Sequence, residues 1–455
     1  MEVSQVAELG DRLSTFLDGF DDCFGRSEPR EHLRTYVSGQ LSNVQRKSIE
    51  PIALAAGTPV RTLQGFFERT RWDEERLRDR GQWIVAQDHA HPKAVGIIDE
   101  SGNPKKGRHT AAVQRQWCGR TGKIDNCVMA VHLSYVAEDF QCLLDSDLFL
   151  PENWANDPER RQECYIPEDV VYRPKTEIAM AQIRRALANG IRVAAWTFDE
   201  WYGRDGGFLD DLEDLGQNYV AEVPVNFTGW LREPRVLLRP RPQDMRGRGR
   251  KRRYPRLARK ALPACEVRNL ATHSLVFQRQ KWQRFRIKDG ERGPMVWEVK
   301  HATFYRKHGK GLPGRAHTLI VARNVLDPTE VKYFVSNQVP NAEGVSLEWL
   351  LYVAFSRWPI ERCFEQAKDE LGLDHFEVRG WRSIHRHLYI TQITHLFCAR
   401  EQNRLREKND AEPLLDRRAG ANGGLRMRLW PTLRPARTTA VVSAYLHSDS
   451  VLSGS

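Results

Sequence analysis

The stretch "KAVGIIDESGNPKKGRHTAAVQRQWCGRTGKIDNCVMAVHLSYV", residues 93–136, marks the point where the chain changes from helical to strand-forming patterns. Short strand patterns occupy residues 94–98, 110–117 and 126–136, and turns rich in Gly join them. An amphipathic helix, a strand in "RVAAWTFDEWYG", a short helix and a strand in "NYVAEVP" follow. This order predicts an α/β fold with a mixed sheet.

The segments around this sheet predict further parts of the molecule. Residues 1–90 have helical periodicity, and Gly57-Thr58-Pro59 predicts a helix-turn-helix in which Thr58 is the N-cap and Pro59 the first helical residue. DNA reading by this unit and an ordinary helical hairpin both remain open. We expect the sheet core to comprise residues 91–223 and 344–400, interrupted by a β-rich insertion at 224–343, with a loosely held tail at 401–455.

Composition and charge narrow the class of protein. The 455-residue chain has a 40% apolar fraction, lacks a signal-peptide pattern and has no apolar run long enough for a membrane span, so we expect a cytoplasmic protein and no membrane partner. Its eight scattered cysteines include no C-x-x-C pair, which argues against a zinc ribbon or a disulfide scaffold.

The positive charge of the chain is concentrated in one segment. Residues 231–260 contain thirteen Arg or Lys and two acidic residues, so the net charge of the segment is 13 − 2 = +11. This value equals the formal net charge of the whole chain. Such a segment predicts binding to a polyanion, although a solvated or disordered loop is the alternative. The predicted phosphate contacts are Arg248, Arg250, Lys251, Arg252 and Arg253 in this segment, and Lys105, Lys106 and Arg108 farther upstream.

Three carboxylates are candidates for chemistry. Asp99 and Asp199 each follow an apolar strand and precede a Glu and a turn, although an Asp in this position can also be a structural turn residue. Glu361 lies beside the apolar stripe of a predicted helix, where an exposed ladder of ion pairs is the alternative, and its neighbour Glu365 is expected to be dispensable. Three converging carboxylates would suit Mg²⁺ and two-metal phosphoryl transfer.

The string R357-x3-E361-x6-K368 in "RWPIERCFEQAK" resembles the signature around the third acid of DDE transposases of bacterial insertion sequences. "GLDHFEVRGWRSIHRHLYIT", "IIDESGNPKKGRHTAAVQRQWCGRTGKIDNC" and "TFDEWYGRDGGFLDDLEDLGQNYVAEV" are similar to the corresponding blocks of the insertion-sequence-701 group, which is related to the insertion-sequence-4 group. The position of the signature Tyr falls on Ala354, so the resemblance leaves the details of strand processing open.

The resemblance implies an RNase H-like catalytic core and a transposase that cuts and joins DNA with two Mg²⁺ ions, for which Mn²⁺ can substitute. It makes Asp99, Asp199 and Glu361 the catalytic, metal-binding acids, and it gives Arg357 and Lys368 a role in holding DNA phosphates or the acid itself. The implied partners are double-stranded DNA, as terminal inverted repeats and target, and a second copy of the chain on DNA. An inactive transposase-derived DNA-binding protein and an RNase H-like repair nuclease are the alternatives.

Overall fold

The computed structural model describes residues 3–237, 254–290, 293–309, 311–340 and 344–411. The chain forms two compact units, of which unit 1 comprises Met1–Ala94, Asp99–Arg192 and Pro359–Ser455, and unit 2 comprises Val95–Ile98 and Val193–Trp358. These units cut across the five segments expected from the sequence, whose boundaries remain a prediction. Among the helices described, none is both long and apolar enough to cross a lipid bilayer.

Unit 1 begins with five helices and continues into strands. The helices are α1 (Val3–Asp18), α2 (Ser27–Leu41), α3 (Ile49–Ala55), α4 (Val60–Glu68) and α5 (Glu74–Asp88). Strand β1 (Val95–Pro104) starts in unit 2 and enters unit 1 at Asp99. It is followed by β2 (Gln114–Cys118), β3 (Lys123–Ala137), β4 (Phe140–Leu148), α6 (Glu152–Ala155), α7 (Pro158–Glu163) and α8 (Lys175–Ala188). After unit 2, the chain adds α14 (Trp358–Glu365), a π-helical turn (Gln366–Glu370) and α15 (Trp381–Ala411).

Unit 2 contains the rest of the described elements. They are β5 (Ala195–Phe198), α9 (Glu200–Gly203), α10 (Gly206–Asp214), β6 (Tyr219–Val223), β7 (Thr228–Trp230), β8 (Val236–Leu237), β9 (Arg256–Leu257) and β10 (Cys265–Glu266), then α11 (Val267–His273), α12 (Leu275–Gln278), β11 (Gln283–Gly290), β12 (Gly293–Lys307), β13 (Pro313–Asn324), β14 (Val331–Ser336) and α13 (Leu347–Phe355). The predicted β-rich insertion is therefore present as strands β7 to β14.

The strand order confirms the predicted α/β, RNase H-like fold class. In unit 2 the strands lie in the order β10-β7-β12-β13-β14-β6-β5-β1, with β11 beside β12 and β8 paired with β9 separately. In unit 1, β1 is followed by β3, which also pairs with β2 and β4. Strand β1 is common to both orders, and within unit 2 β5 and β6 run parallel to β1, as a mixed α/β core requires.

The long helix α15 is the centre of the packing in unit 1. It contacts α2, α4, α5 and β4, and it buries an apolar face that includes Leu388 and Ile393. Buried polar contacts supplement this packing, because the Tyr36 hydroxyl lies 2.9 Å from His387 Nδ1 and the Gln40 amide donates to Thr391 Oγ1 at 2.7 Å. The all-helical N-terminal segment is thus fixed by a helix from the far end of the chain.

A buried ion cluster fixes helix α10 within unit 2. Arg306, which is 2% exposed, pairs with Asp210 and lies 3.3 Å from Glu213. Glu213 also accepts hydrogen bonds from Tyr219 and His317, each at 2.8 Å. Burial would raise the pKa of Glu213, but the hydrogen bond and charge of His317 lower it to about 2. The carboxylate therefore stays ionised and ties α10 to the inserted strands.

Several local predictions need correction. Strand β1 runs on to Pro104 instead of ending before Asp99, and β4 was not predicted from the sequence. Helix α4 begins at Val60 with Pro59 at the N-cap, so Thr58 does not cap it, while Gly57 adopts the left-handed φ of 65° that suits glycine. All eight cysteines are free thiols, as expected.

Candidate active site

Asp99 lies in the middle of strand β1, where a buried polar network holds the strand. Its Oδ1 accepts a hydrogen bond from the backbone N–H of Glu100 at 2.7 Å. Two residues farther on, the Ser101 hydroxyl lies 2.9 Å from Nε2 of His132, a fully buried residue of β3. Burial, assisted by the charge of Lys368, lowers the pKa of His132 to about 3, so the ring is neutral. This neutral bridge fixes the position of the strand that carries Asp99.

Glu361 lies in the first turn of α14 and its side chain is exposed. The predicted apolar stripe is buried, as Ile360 and Ala367 show, and the ring of Phe364 packs edge-on against His132 at 4.9 Å. The same imidazole thus supports both β1 and α14, which carry the first and third predicted acids in unit 1.

Lys368 lies on the π-helical turn after α14, which shows that the regular helical spacing assumed from the sequence does not continue this far. Burial lowers the pKa of Lys368, Arg120 lowers it further, and the negative charge of Asp99 partly offsets both effects. Lys368 and Asp99 therefore interact electrostatically within unit 1. Its role in holding the acid or a DNA phosphate stays a prediction.

Asp199 follows strand β5 in unit 2 and is the N-cap of helix α9. Its Oδ1 accepts hydrogen bonds from the backbone N–H groups of Trp201 at 3.0 Å and Tyr202 at 3.3 Å. The helix in turn lies directly on β6, because a methyl group on Gly203 would lie 1.9 Å from the carbonyl oxygen of Glu222. The structural turn role considered for this Asp is therefore real, and it fixes the carboxylate in place.

Glu222 is an acid near Asp199 that the sequence analysis did not single out. It lies on β6 next to Ala221, the register partner of Phe198, so it is close in register to Asp199. Its carboxylate accepts from Arg357 at 2.6 Å and from Lys332 at 2.7 Å. Arg357, predicted to hold a phosphate or a catalytic acid, therefore holds this fourth acid within unit 2. A single acid in the apolar strand "YVAEV" was the available sequence signal.

The three cations predicted after Asp99 have different surroundings. The ammonium of Lys105 donates to the carbonyl oxygen of Phe376 at 2.7 Å and lies 3.4 Å from the centre of its ring. Burial lowers the pKa of Lys105 to about 7. Lys105 is therefore half-buried and engaged with the backbone, whereas Lys106 and Arg108 are exposed; phosphate binding by these three cations stays a prediction.

The remaining predicted positions contribute less to the site. Ala354, at the place of the signature Tyr, is buried on α13. Arg248, Arg250, Lys251, Arg252 and Arg253 lie outside the described residues. Within the part of the chain that is described, no group of three or more His, Cys, Asp or Glu side chains is arranged to hold a metal ion. The donor chemistry of the three predicted acids, carboxylate oxygen only, still fits a hard cation such as Mg²⁺.

Comparisons with known proteins indicate the family of this chain. The family described as DDE superfamily endonuclease matches residues 19–294, more than half of the chain. A probable transposase for insertion sequence element IS701 from Microchaete diplosiphon is 29% identical over 190 residues, which cover 41% of this chain and 47% of that protein. The match thus spans about half of the relative's length.

A solved structure, the cryo-EM structure of the piggyBac transposase synaptic complex with hairpin DNA, matches 87% of this chain and 77% of its own, with a TM-score of 0.34 and 10% sequence identity. The family match includes the first two predicted acids, Asp99 and Asp199, and extends into the inserted strands. On the extent of this match, the chain belongs to the DDE superfamily endonuclease family.

Proposed function

We propose that this protein is a transposase that binds the terminal inverted repeats of an insertion sequence and catalyses DNA cleavage and strand transfer. Asp99, Asp199 and Glu361 are its catalytic acids on this proposal. The main observation in support of this proposal is the parallel register of β1 and β5, in which Ile98 pairs with Phe198. Asp99 and Asp199 are the residues that directly follow this pair along the chain, which supports their action at one site, since paired strands lie about 4.8 Å apart.

The three acids would hold two Mg²⁺ ions, for which Mn²⁺ could substitute. When bound, such ions lower the pKa of an attacking hydroxyl group and stabilise the charge that develops on phosphate. The protein's own residues prepare the acids for this role: the cap of α9 orients Asp199, and the charges of Lys368 and Asp99 attract each other. The exposure of Glu361 leaves it accessible to an incoming DNA strand.

The proposed substrates are double-stranded DNA ends and a target duplex, bound by a homodimer in the cytoplasm of a bacterium. The name of the Microchaete relative and the excess of positive charge support this proposal. Phosphate contacts supply most sequence-independent affinity, so the exposed cations Lys106 and Arg108 and the basic segment would hold the DNA backbone.

The test separates chemistry from binding. We expect Asp99→Asn, Asp199→Asn and Glu361→Gln each to abolish Mg²⁺-dependent cleavage of a plasmid that carries the coding region with its flanking DNA. Binding to the same DNA in EDTA should be retained, because phosphoryl transfer depends on the carboxylates, whereas DNA binding depends on the cations. Glu365→Gln is the matched control, since Glu365 is exposed on the same helix, and it should cleave normally.

Cleavage by any of the three variants at the wild-type rate would refute the assignment of that acid. Wild-type protein that binds DNA but never cleaves it would indicate the inactive DNA-binding alternative. Cleavage without joining of the cut end to a second duplex would indicate the repair-nuclease alternative.

A further inference from the structure

The β2–β3 hairpin in unit 1 has one buried and one exposed face. Cys118, Cys127 and Met129 form a buried cluster on one side, with Phe149 packed against it. Arg115 pairs with Asn126 and Trp117 pairs with Ile124 in the antiparallel register, so these four residues share the opposite face. The hairpin is thus anchored on one side and presents the other to solvent.

The exposed face carries large apolar side chains where polar ones are usual. Trp117 is 60% exposed and its direct cross-strand partner Ile124 is 59% exposed. An antiparallel pair with one buried face normally places polar residues on the other. Two adjacent exposed apolar side chains on a firmly anchored hairpin therefore indicate a binding surface.

Positive charges surround this apolar pair. Asn126, on the same face, donates from its amide to the carbonyl oxygens of Lys105 at 2.7 Å and Gly107 at 2.6 Å, which ties the loop of residues 105–108 to the hairpin. Lys106 and Arg108 of this loop and Arg115 of the hairpin are exposed. Across the described residues, no carboxylate pairs with these three cations. We define the hairpin face as Lys106, Arg108, Arg115, Trp117 and Ile124.

We propose that the hairpin face binds an unpaired DNA strand, with Trp117 stacking on an exposed base and the three cations contacting its phosphates. An aromatic side chain among unpaired cations has the chemistry of a single-strand site, because every base offers a flat face for stacking. Within a duplex the neighbouring base pairs cover these faces, whereas an unpaired end exposes them. The inference rests on the proposed function, which generates such ends.

The test compares full-length wild-type protein with Trp117→Ala on two DNA probes in EDTA. One probe is a blunt duplex, and the other is the same duplex with a short unpaired 3′ extension. Trp117→Ala should weaken binding to the extended probe at least about fivefold, the loss expected for one stacked base, while binding to the blunt duplex stays within about twofold. Trp117→Phe should restore most of the affinity, because it keeps an aromatic face.

Trp83→Ala is the matched control, since Trp83 is also in unit 1 and is 50% exposed; it should bind both probes as the wild type does. Equal affinity of Trp117→Ala and wild type for the extended probe would overturn the inference. So would a change in oligomeric mass on Trp117→Ala with unchanged DNA binding, which would identify a second copy as the partner.

Failure of the inference is distinguishable from failure of the proposed function. If wild type prefers neither probe but Asp99→Asn still abolishes cleavage, only the hairpin face is refuted. If wild type neither binds nor cleaves DNA, the transposase proposal fails, and the inference fails with it.

Discussion

Replacement of Gly203 by alanine is expected to displace Asp199 and to reduce DNA cleavage about 100-fold. Gly203 is the last residue of α9, and Asp199 is its N-cap, so the two residues move with one short helix. A methyl group at position 203 would lie 1.9 Å from the carbonyl oxygen of Glu222 on β6. Because β6 is a central strand and cannot give way easily, the helix has to move.

The size of the effect follows from this distance. Contacts of a Cβ atom essentially never fall below 3.0 Å, so the helix must shift by about 1 Å. Misplacement of a catalytic group by about 1 Å can reduce the rate about 100-fold. Overpacking of this kind also costs about 1–3 kcal/mol of stability, which would lower Tm by about 2–4 °C for each kcal/mol in a unit of this size.

The assay is Mg²⁺-dependent cleavage of the plasmid substrate, followed over time, together with thermal unfolding. Gly65→Ala is the matched control, because Gly65 is also helical but no atom beyond its neighbours in its own helix lies within 4 Å of the added methyl group. It should stabilise the protein by about 0.5–1 kcal/mol and leave cleavage unchanged. If Gly203→Ala cleaves DNA and unfolds like the wild type, the coupling between α9 and Asp199 is wrong.

Two further predictions follow from the surroundings of individual charges. Changing Lys106 and Arg108 to Gln should reduce the slope of log affinity against log salt by about 2. The Lys105→Met variant should leave the slope unchanged, because the ammonium group of Lys105 donates to the backbone. Fluorescence anisotropy titrations measure the slopes, and equal slopes in all proteins would contradict the distinction. Glu222→Ala should cost about 1–3 kcal/mol of stability, and adding Arg357→Ala should cost little more, because the guanidinium has then already lost its partner. Thermal unfolding of the two single variants and the double variant measures this coupling, and additive losses of stability would refute it.

The sequence predicted most of the sheet because its central strands are apolar and turns bound them. Strand β4 was missed because "FQCLLDSDL" contains two aspartates that argue against a buried strand. In the structure Asp145 is fully buried and pairs with Arg185 at 2.5 Å, while Asp147 accepts from His385 at 3.1 Å. Partners so distant in sequence cannot be recognised from local patterns.

The candidate site was predictable where it depends on strand ends. Asp99 and Asp199 were identified from the apolar residues before them, which end in the register pair Ile98 and Phe198; the joint action of the two acids stays a prediction. The continuation of β1 beyond Asp99 was not predictable, because it depends on the buried contact between Ser101 and His132. Regular helical spacing also failed at Lys368, since a π-helical turn changes the direction of its side chain.

The packing of α15 has a consequence for synthesis of the chain. Residues of α2, α4 and α5 need α15 as their partner, yet α15 is made after the whole of unit 2. Unit 2 can assemble from a nearly continuous stretch while the ribosome is still working, whereas the early helices must wait with their apolar faces exposed. Completion of unit 1, and with it the arrival of Glu361, is therefore coupled to late translation, so an incompletely translated chain would lack the third predicted acid.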